Sequence, residues 1–309
     1  MFRSPAKGLS YFFKRTYRLK NLQTSDIPDP CILCDKPPSQ QIYQTGSWRY
    51  FQCSNCGMVF LHPRPSAENL LKSYDTYLPT QVDEIASWEK MITPVIENAA
   101  TLLERQNYPD GARLLDIGCG HGFFLKKMAQ RGWVVEGIEV SRPGREYARE
   151  KLGLKIHSEL LEELAFPKES FDVVTLFYVI EHVHDPGRVL QEVYHILKPG
   201  GMILLRWPHS TPVIKILGPF AKRFDIYHTP FHLYDFNPGA IQVLLQKSGF
   251  SAVQNMIGGF TLPKKRFYRW SSVIFGRIAQ VLHFFSAGSV LLPGVSKTTI
   301  GFKKNQGLP

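Results

Sequence analysis

Between Arg113 and Ile257, short apolar runs alternate with amphipathic stretches, and this alternation organises the reading of the whole chain. Arg113–Ile117, Trp133–Glu139, Lys155–His157, Phe171–Phe177, Met202–Trp207 and Ala252–Ile257 are compact runs that read as strands. Phe123–Arg131, Pro143–Leu152, Pro186–Leu197 and Pro238–Ser248 carry apolar residues at helical intervals, and three of them open on a proline, which the first turn of a helix accepts. Strands alternating with helices in this way predict an α/β, doubly wound, mostly parallel sheet with its ligand crevice at the carboxyl ends of the strands. A final strand is expected at Lys297–Lys303.

The pattern changes on either side of this core. Upstream, Gln41–Gln44 and Trp48–Gln52 alternate as the strands of a small ribbon, which His62-Pro63-Arg64-Pro65 closes. Residues 66–110 read as a helical linker or cap, its longer helix, Trp88 to Arg105, interrupted near Pro94. Its Tyr74, Tyr77 and Trp88 either line a cleft or pack the cap on the core. Downstream, residues 258–293 form an insert in which Arg277, Gln280 and His283 recur every three positions, leaving Val273, Ile274, Phe275, Ile278, Val281, Leu282, Phe284 and Phe285 as an apolar surface. With Lys264-Lys-Arg-Phe-Tyr-Arg-Trp270 before it, the insert resembles an interfacial helix, although a dimer contact or a lid fits the same pattern. The expected units are therefore a tail (1–25), a ribbon (26–65), the cap (66–110), the core (111–257), the insert (258–293) and the last strand with its tail (294–309).

Charge sharpens this division. The net charge is +11, yet residues 1–25 hold six basic residues and no acid, and residues 236–309 hold nine and no acid, leaving 22 basic against 26 acidic residues between them. Basic ends around an acidic middle suggest an anionic surface near the termini, such as a membrane, rather than an anionic substrate in the central fold. No apolar run reaches the length of a membrane span, and no secretory signal is evident, so a cytoplasmic, reducing setting is expected.

The five cysteines add a metal. Cys31 and Cys34 form one C-x-x-C pair, and Cys53 and Cys56 form another after eighteen intervening residues. Two such knuckles at this spacing predict one tetrahedral zinc ion, and four thiolates leave no open coordination position, so the ion is structural. A module this small also needs a staple of that kind. The fifth, Cys119, sits in the sequence Asp116-Ile-Gly118-Cys-Gly120-His-Gly122, where an apolar run breaks into glycines before a helix. Such a turn lets a ligand approach the backbone closely and offers it helix N–H groups. A dinucleotide fingerprint would require a third glycine at position 123, which is Phe123, so NAD and FAD are disfavoured.

The glycine turn, Gly137-Ile-Glu139-Val-Ser, Phe166-Pro-Lys-Glu-Ser-Phe171-Asp-Val-Val, Tyr178-Val-Ile-Glu181-His182-Val-His184-Asp-Pro and Leu197-Lys-Pro-Gly-Gly201 follow one another in register. Together they resemble the class I S-adenosylmethionine (SAM)-dependent methyltransferases over residues 112–257. The resemblance implies a seven-stranded sheet, methyl transfer from SAM, and a cofactor site of Asp116, Gly118, Cys119, Gly120, Gly122 and Glu139, with Glu159 as a candidate for the adenine. A glycine wall suits the amino-acid part of SAM, Asp116 suits its amine, and Glu139 suits its ribose diol. The sulfonium already activates the methyl, so alignment and water exclusion are the main work of the protein. An acceptor hydroxyl also benefits from a base, for which His182 and His232 are the leading candidates, with His184 and His228 behind them. The expected acceptor is a small molecule or glycan, including a sugar or lipid-linked saccharide; RNA or protein methylation and a non-catalytic binding module are the alternatives.

Overall fold

The computed structural model describes residues 28–37 and 40–305, so the basic aromatic tail expected at 1–25 lies outside the described residues. In chain order the strands and α-helices are β1 (Gln40–Thr45), β2 (Trp48–Gln52), β3 (Val59–His62), α1 (Ala67–Tyr74), α2 (Val82–Glu104), β4 (Arg113–Ile117), α3 (Phe123–Ala129), β5 (Val134–Ile138), α4 (Arg142–Leu152), β6 (Ile156–His157), β7 (Phe171–Phe177), α5 (Pro186–Ile196), β8 (Leu197–Trp207), α6 (Thr211–Leu217), β9 (Tyr234–Asp235), α7 (Pro238–Lys247), β10 (Ser251–Ile257), α8 (Arg266–Phe285) and β11 (Lys297–Phe302).

Seven strands form one sheet in the order β10-β11-β8-β7-β4-β5-β6. Strands β4 to β8 within it pair in parallel, while β11 runs antiparallel to both β8 and β10. Side chains alternate across this sheet, and both faces are covered. Leu114, Val173 and Leu204 face a layer with Ile96 and Leu103 of α2 and Phe124 and Met128 of α3. Leu115, Val174 and Leu205 face the opposite layer with Val189 and Val193 of α5 and Ile241 and Leu245 of α7. Burial on both faces is the reason these strands read as unbroken apolar runs, each such side chain contributing about 1.5–3 kcal/mol.

Local expectations fail where packing outweighs propensity. α2 runs unbroken through Pro94 rather than being interrupted there. Its Val95, Ile96, Ala99, Ala100 and Leu103 are buried, and that burial offsets the roughly 3 kcal/mol a mid-helix proline costs. The short α6 and the two-residue β9 had no pattern long enough to announce them.

β9 completes an antiparallel sheet in the order β1-β2-β3-β9, so the ribbon takes its fourth strand from the segment between β8 and β10 of the central sheet. Tyr50 of β2 stacks on Tyr227 at 4.2 Å, and Tyr43 of β1 meets Tyr227 edge-on at 5.5 Å. At the other extreme of the chain, α8 buries only Gly276 and Ala279. Gly276 lies against the Phe260 ring, leaving Phe267, Trp270, Phe275, Phe284 and Phe285 exposed.

Candidate active site

β4 ends at Ile117, and the chain turns through Gly118–Gly122 into α3. At Gly118 (φ +70°) a Cβ would lie 2.4 Å from the Val179 side chain, and at Gly122 (φ +78°) it would lie 2.6 Å from that of Leu154. Both backbone angle and space restrict these positions to glycine. The turn is pinned from β5: Glu139 Oε2 accepts from the Gly120 N–H and Oε1 from the Ser141 N–H, both at 2.7 Å. Each carboxylate oxygen keeps a second lone pair for a ligand. Asp116 is 2% exposed and accepts from Thr175 Oγ1 at 2.6 Å. Burial, opposed by that hydroxyl and reinforced by the charge of Glu139, pushes its carboxyl up to about 7.

The cap closes over this turn. A His121 ring nitrogen shares a 2.9 Å hydrogen bond with the Pro79 carbonyl, and Leu78 packs over Gly120 and Gly144. Beneath the turn, the Cys119 sulfur lies against Gly137, and burial pushes its thiol well up. Glu159 stands apart: it is exposed and accepts from the N–H and Oγ of Ser158 beyond β6. Within the crevice the buried Ser141 Oγ and Tyr74 hydroxyl have no hydrogen-bond partner among the described residues. A left-handed glycine wall, a buried carboxylate with free lone pairs and unpartnered hydroxyls fit a polar ligand without phosphates.

A second cluster adjoins the first. After β7, Tyr178 takes φ +58°, a strained angle for a non-glycine residue, and Arg206 of β8 holds it there. The Arg206 Nε donates to the Tyr178 hydroxyl at 2.8 Å, and the Arg206 carbonyl accepts from the Tyr178 N–H at 2.7 Å. The turn brings Val179 onto Gly118 and presents Glu181 and His182. His182 meets the His232 ring at 4.8 Å, and Tyr74 and Tyr77 at 6.0 and 6.1 Å. His228 lies 5.0 Å from His232. His184, in contrast, turns to the Pro65 carbonyl at 2.8 Å, and Trp88 packs from α2 against the core.

Burial drives His182 down to about 3 and His232 well below its ordinary value, and it pushes Glu181 up to about 8. The ribbon supports this side. The Tyr50 hydroxyl donates to the His232 carbonyl at 3.3 Å and is 3.0 Å from the Thr229 hydroxyl, while the Glu181 carbonyl accepts from the Leu233 N–H at 2.8 Å. Glu181, Tyr178 and Arg206 were missed as site-forming residues. Arg206 carried a signal, a lone charge in the otherwise apolar Met202–Trp207 run.

The four ribbon cysteines converge as their spacing predicts. Their sulfurs lie within 4.8 Å of one another, with Cys31–Cys56 at 3.5 Å and Cys34–Cys53 at 3.4 Å. Tetrahedral bonds of about 2.3 Å place sulfurs about 3.8 Å apart, so the donor set fits zinc. Lys247 donates to the Leu33 carbonyl at 2.7 Å, and Asn237 Nδ2 donates to the Cys56 carbonyl at 2.9 Å, tying both knuckles to the ends of α7.

A model of the methyltransferase domain matches residues 87–255, more than half of the chain. The chain belongs to the methyltransferase domain family. The methyltransferase is 28% identical over 172 residues to a ubiquinone biosynthesis O-methyltransferase of Pseudomonas entomophila and 30% identical to that of Stutzerimonas stutzeri; each match covers 52% of this chain and 74% of the relative. Among solved structures, phosphoethanolamine N-methyltransferase 2 of Haemonchus contortus in complex with SAM superposes with a TM-score of 0.53 at 18% identity, covering 80% of this chain and 62% of that one. A SAM-dependent methyltransferase of Thermotoga maritima gives 0.50 at 20% identity, covering 76% of this chain and all of that one. The fold and family are those of a class I SAM-dependent methyltransferase, and SAM is its cofactor.

Proposed function

We propose that this methyltransferase moves the SAM methyl group to a hydroxyl of a small-molecule or glycan acceptor. The carrying observation is adjacency: Val179 packs on Gly118, so the loop bearing Glu181 and His182 sits directly beside the glycine turn. The names of the curated relatives, which specify O-methylation, support the oxygen acceptor. Bound SAM supplies a methyl activated by its sulfonium. The turn of Gly118, Cys119, Gly120 and Gly122 takes the amino-acid portion, Asp116 accepts from its ammonium, Glu139 accepts from the ribose diol, and Glu159 lies at the adenine end. Leu78 and Pro79 exclude water from above. His182 and His232, uncharged at neutral pH, present lone pairs for the acceptor hydroxyl's proton.

In this reading Cys31, Cys34, Cys53 and Cys56 hold one structural zinc ion, and the α8 face with Lys264, Lys265, Arg266 and Arg269 at its start rests on an anionic membrane surface. Charge complementarity favours that occupant, since residues 236–309 carry no acid. No helix among the described residues is long and apolar enough to cross a membrane.

Transfer of radiolabelled methyl from SAM, screened over hydroxylated small molecules, nucleotide sugars, lipid-linked sugars and tRNA, tests the acceptor. O-methylation of a small or lipid-linked compound is expected, and labelling of tRNA alone overturns it. Metal analysis should find zinc retained with the ribbon. Cosedimentation should occur with anionic vesicles and not with zwitterionic ones; a dimer that ignores both vesicles assigns the α8 face to a second copy.

A further inference from the structure

Glu181 is fully buried, and neither of its carboxylate oxygens has a hydrogen-bond partner among the described residues. His232 is 6% exposed, and the Nδ1 atoms of His182 and His232 are likewise without partners. A buried carboxylate with both oxygens unsatisfied costs several kcal/mol unless something occupies its lone pairs. One ligand atom from each of Glu181, His182 and His232 lies within 4.8 Å of the other two. Bonds of about 2.1 Å around one ion separate ligands by about 3 to 4.2 Å, a distance small side-chain rotations reach from here. The His182 ring also hydrogen-bonds the Phe231 backbone, the outer contact that typically aims an imidazole at a metal.

We propose that Glu181, His182 and His232 bind one divalent cation, separate from the ion of the four cysteines and placed on the acceptor side of the crevice. Two imidazoles and a carboxylate suit manganese, iron, cobalt or zinc better than calcium. Three protein ligands leave positions open, and Tyr74 and Tyr77 wall them in. The inference rests on the acceptor reading above and narrows it to compounds with two neighbouring oxygens, at least one a hydroxyl. Such a pair chelates the cation, which makes the hydroxyl more acidic. With both imidazoles on the cation, solvent in place of His182 or His232 takes the O–H proton, a C–O bond forms as the methyl C–S bond of SAM breaks, and S-adenosylhomocysteine departs uncharged at sulfur.

Manganese(II) is the probe, because hard Mn2+ competes poorly for four thiolates. Titration of the full-length protein, followed by the electron paramagnetic resonance signal of free Mn2+, should show one saturable site per chain. Glu181→Gln and His232→Ala should each weaken it at least tenfold, while Asp83→Asn, an exposed carboxylate of α2, leaves it within twofold. Calorimetric SAM affinity reports folding: variants that keep it while losing Mn2+ support the site. Absence of saturable Mn2+ binding, or equal binding by wild type and both variants that retain SAM affinity, overturns it. The underlying acceptor reading fails separately: it falls if no hydroxylated compound is methylated with or without Mn2+, whereas turnover undiminished by EDTA removes only the cation.

Discussion

The two sides of the crevice are assembled by different routes. On the proposed donor side, Asp116, the glycine turn, Glu139 and Ser141 come from two consecutive strand ends, and their contacts are short, local and mostly made by backbone. On the proposed acceptor side, Glu181 and His182 follow β7, His232 follows α6, and the ribbon holds the latter in place through the Tyr50 hydroxyl and through the Leu61 N–H, which donates to the Leu233 carbonyl. One side is a property of the doubly wound sheet; the other exists only because a separate small sheet leans against it. Damage to one should therefore be separable from damage to the other.

Gly118→Val gives the largest separation. Its side chain collides with Val179 at a left-handed backbone position, so SAM affinity measured by calorimetry should fall at least about a hundredfold. The pH response of SAM binding comes next. The Asp116 carboxyl, raised to about 7, must be ionised to accept from the ligand ammonium, so affinity should drop about tenfold per pH unit below 7. The free protein shows the converse: the raised carboxyl stabilises the fold fully below its ordinary value of 3.8, and this contribution is lost as pH rises through about 7. Asp116→Asn should flatten both profiles.

Glu139→Ala should weaken SAM by about tenfold or more, about 1.4 kcal/mol, because both the proposed ribose contact and the pin on Gly120 disappear. Unchanged calorimetric affinity would remove Glu139 from the cofactor site. Tyr50→Phe addresses the other side: without its hydroxyl the His232 loop loosens, and kcat should fall about fivefold while SAM affinity stays constant. A change in SAM affinity instead would show the two sides to be coupled. The smallest effect belongs to Glu159→Ala, whose exposed carboxylate should change SAM affinity by less than about threefold.

The same contrast decides how much could be read from sequence. Arg113–Ile117 and Phe171–Phe177 were placed residue for residue, because strands buried on both faces are compact apolar runs between turn signals. The glycine turn after β4 and the place of Glu139 at the end of β5 were readable for the same reason, since each lies within a few consecutive residues. His182 and His232 were noticed singly, but their meeting was not, because it depends on β9 pairing with β3 through a two-residue ladder. Glu181 stayed hidden within a recognised stretch, as burial without a partner is visible only in three dimensions. Pro94 misled because its local penalty is certain while the packing that absorbs it lies in other segments.

That two-rung ladder between β3 and β9 has an evolutionary consequence. The ribbon shares a sheet with the segment that carries the proposed acceptor wall, whereas the proposed methyl-donor pocket makes little use of it. Exchange or reshaping of the ribbon in a descendant would retune what is methylated while the reaction itself is conserved, which makes this small appendage the natural place for new substrate preferences to arise.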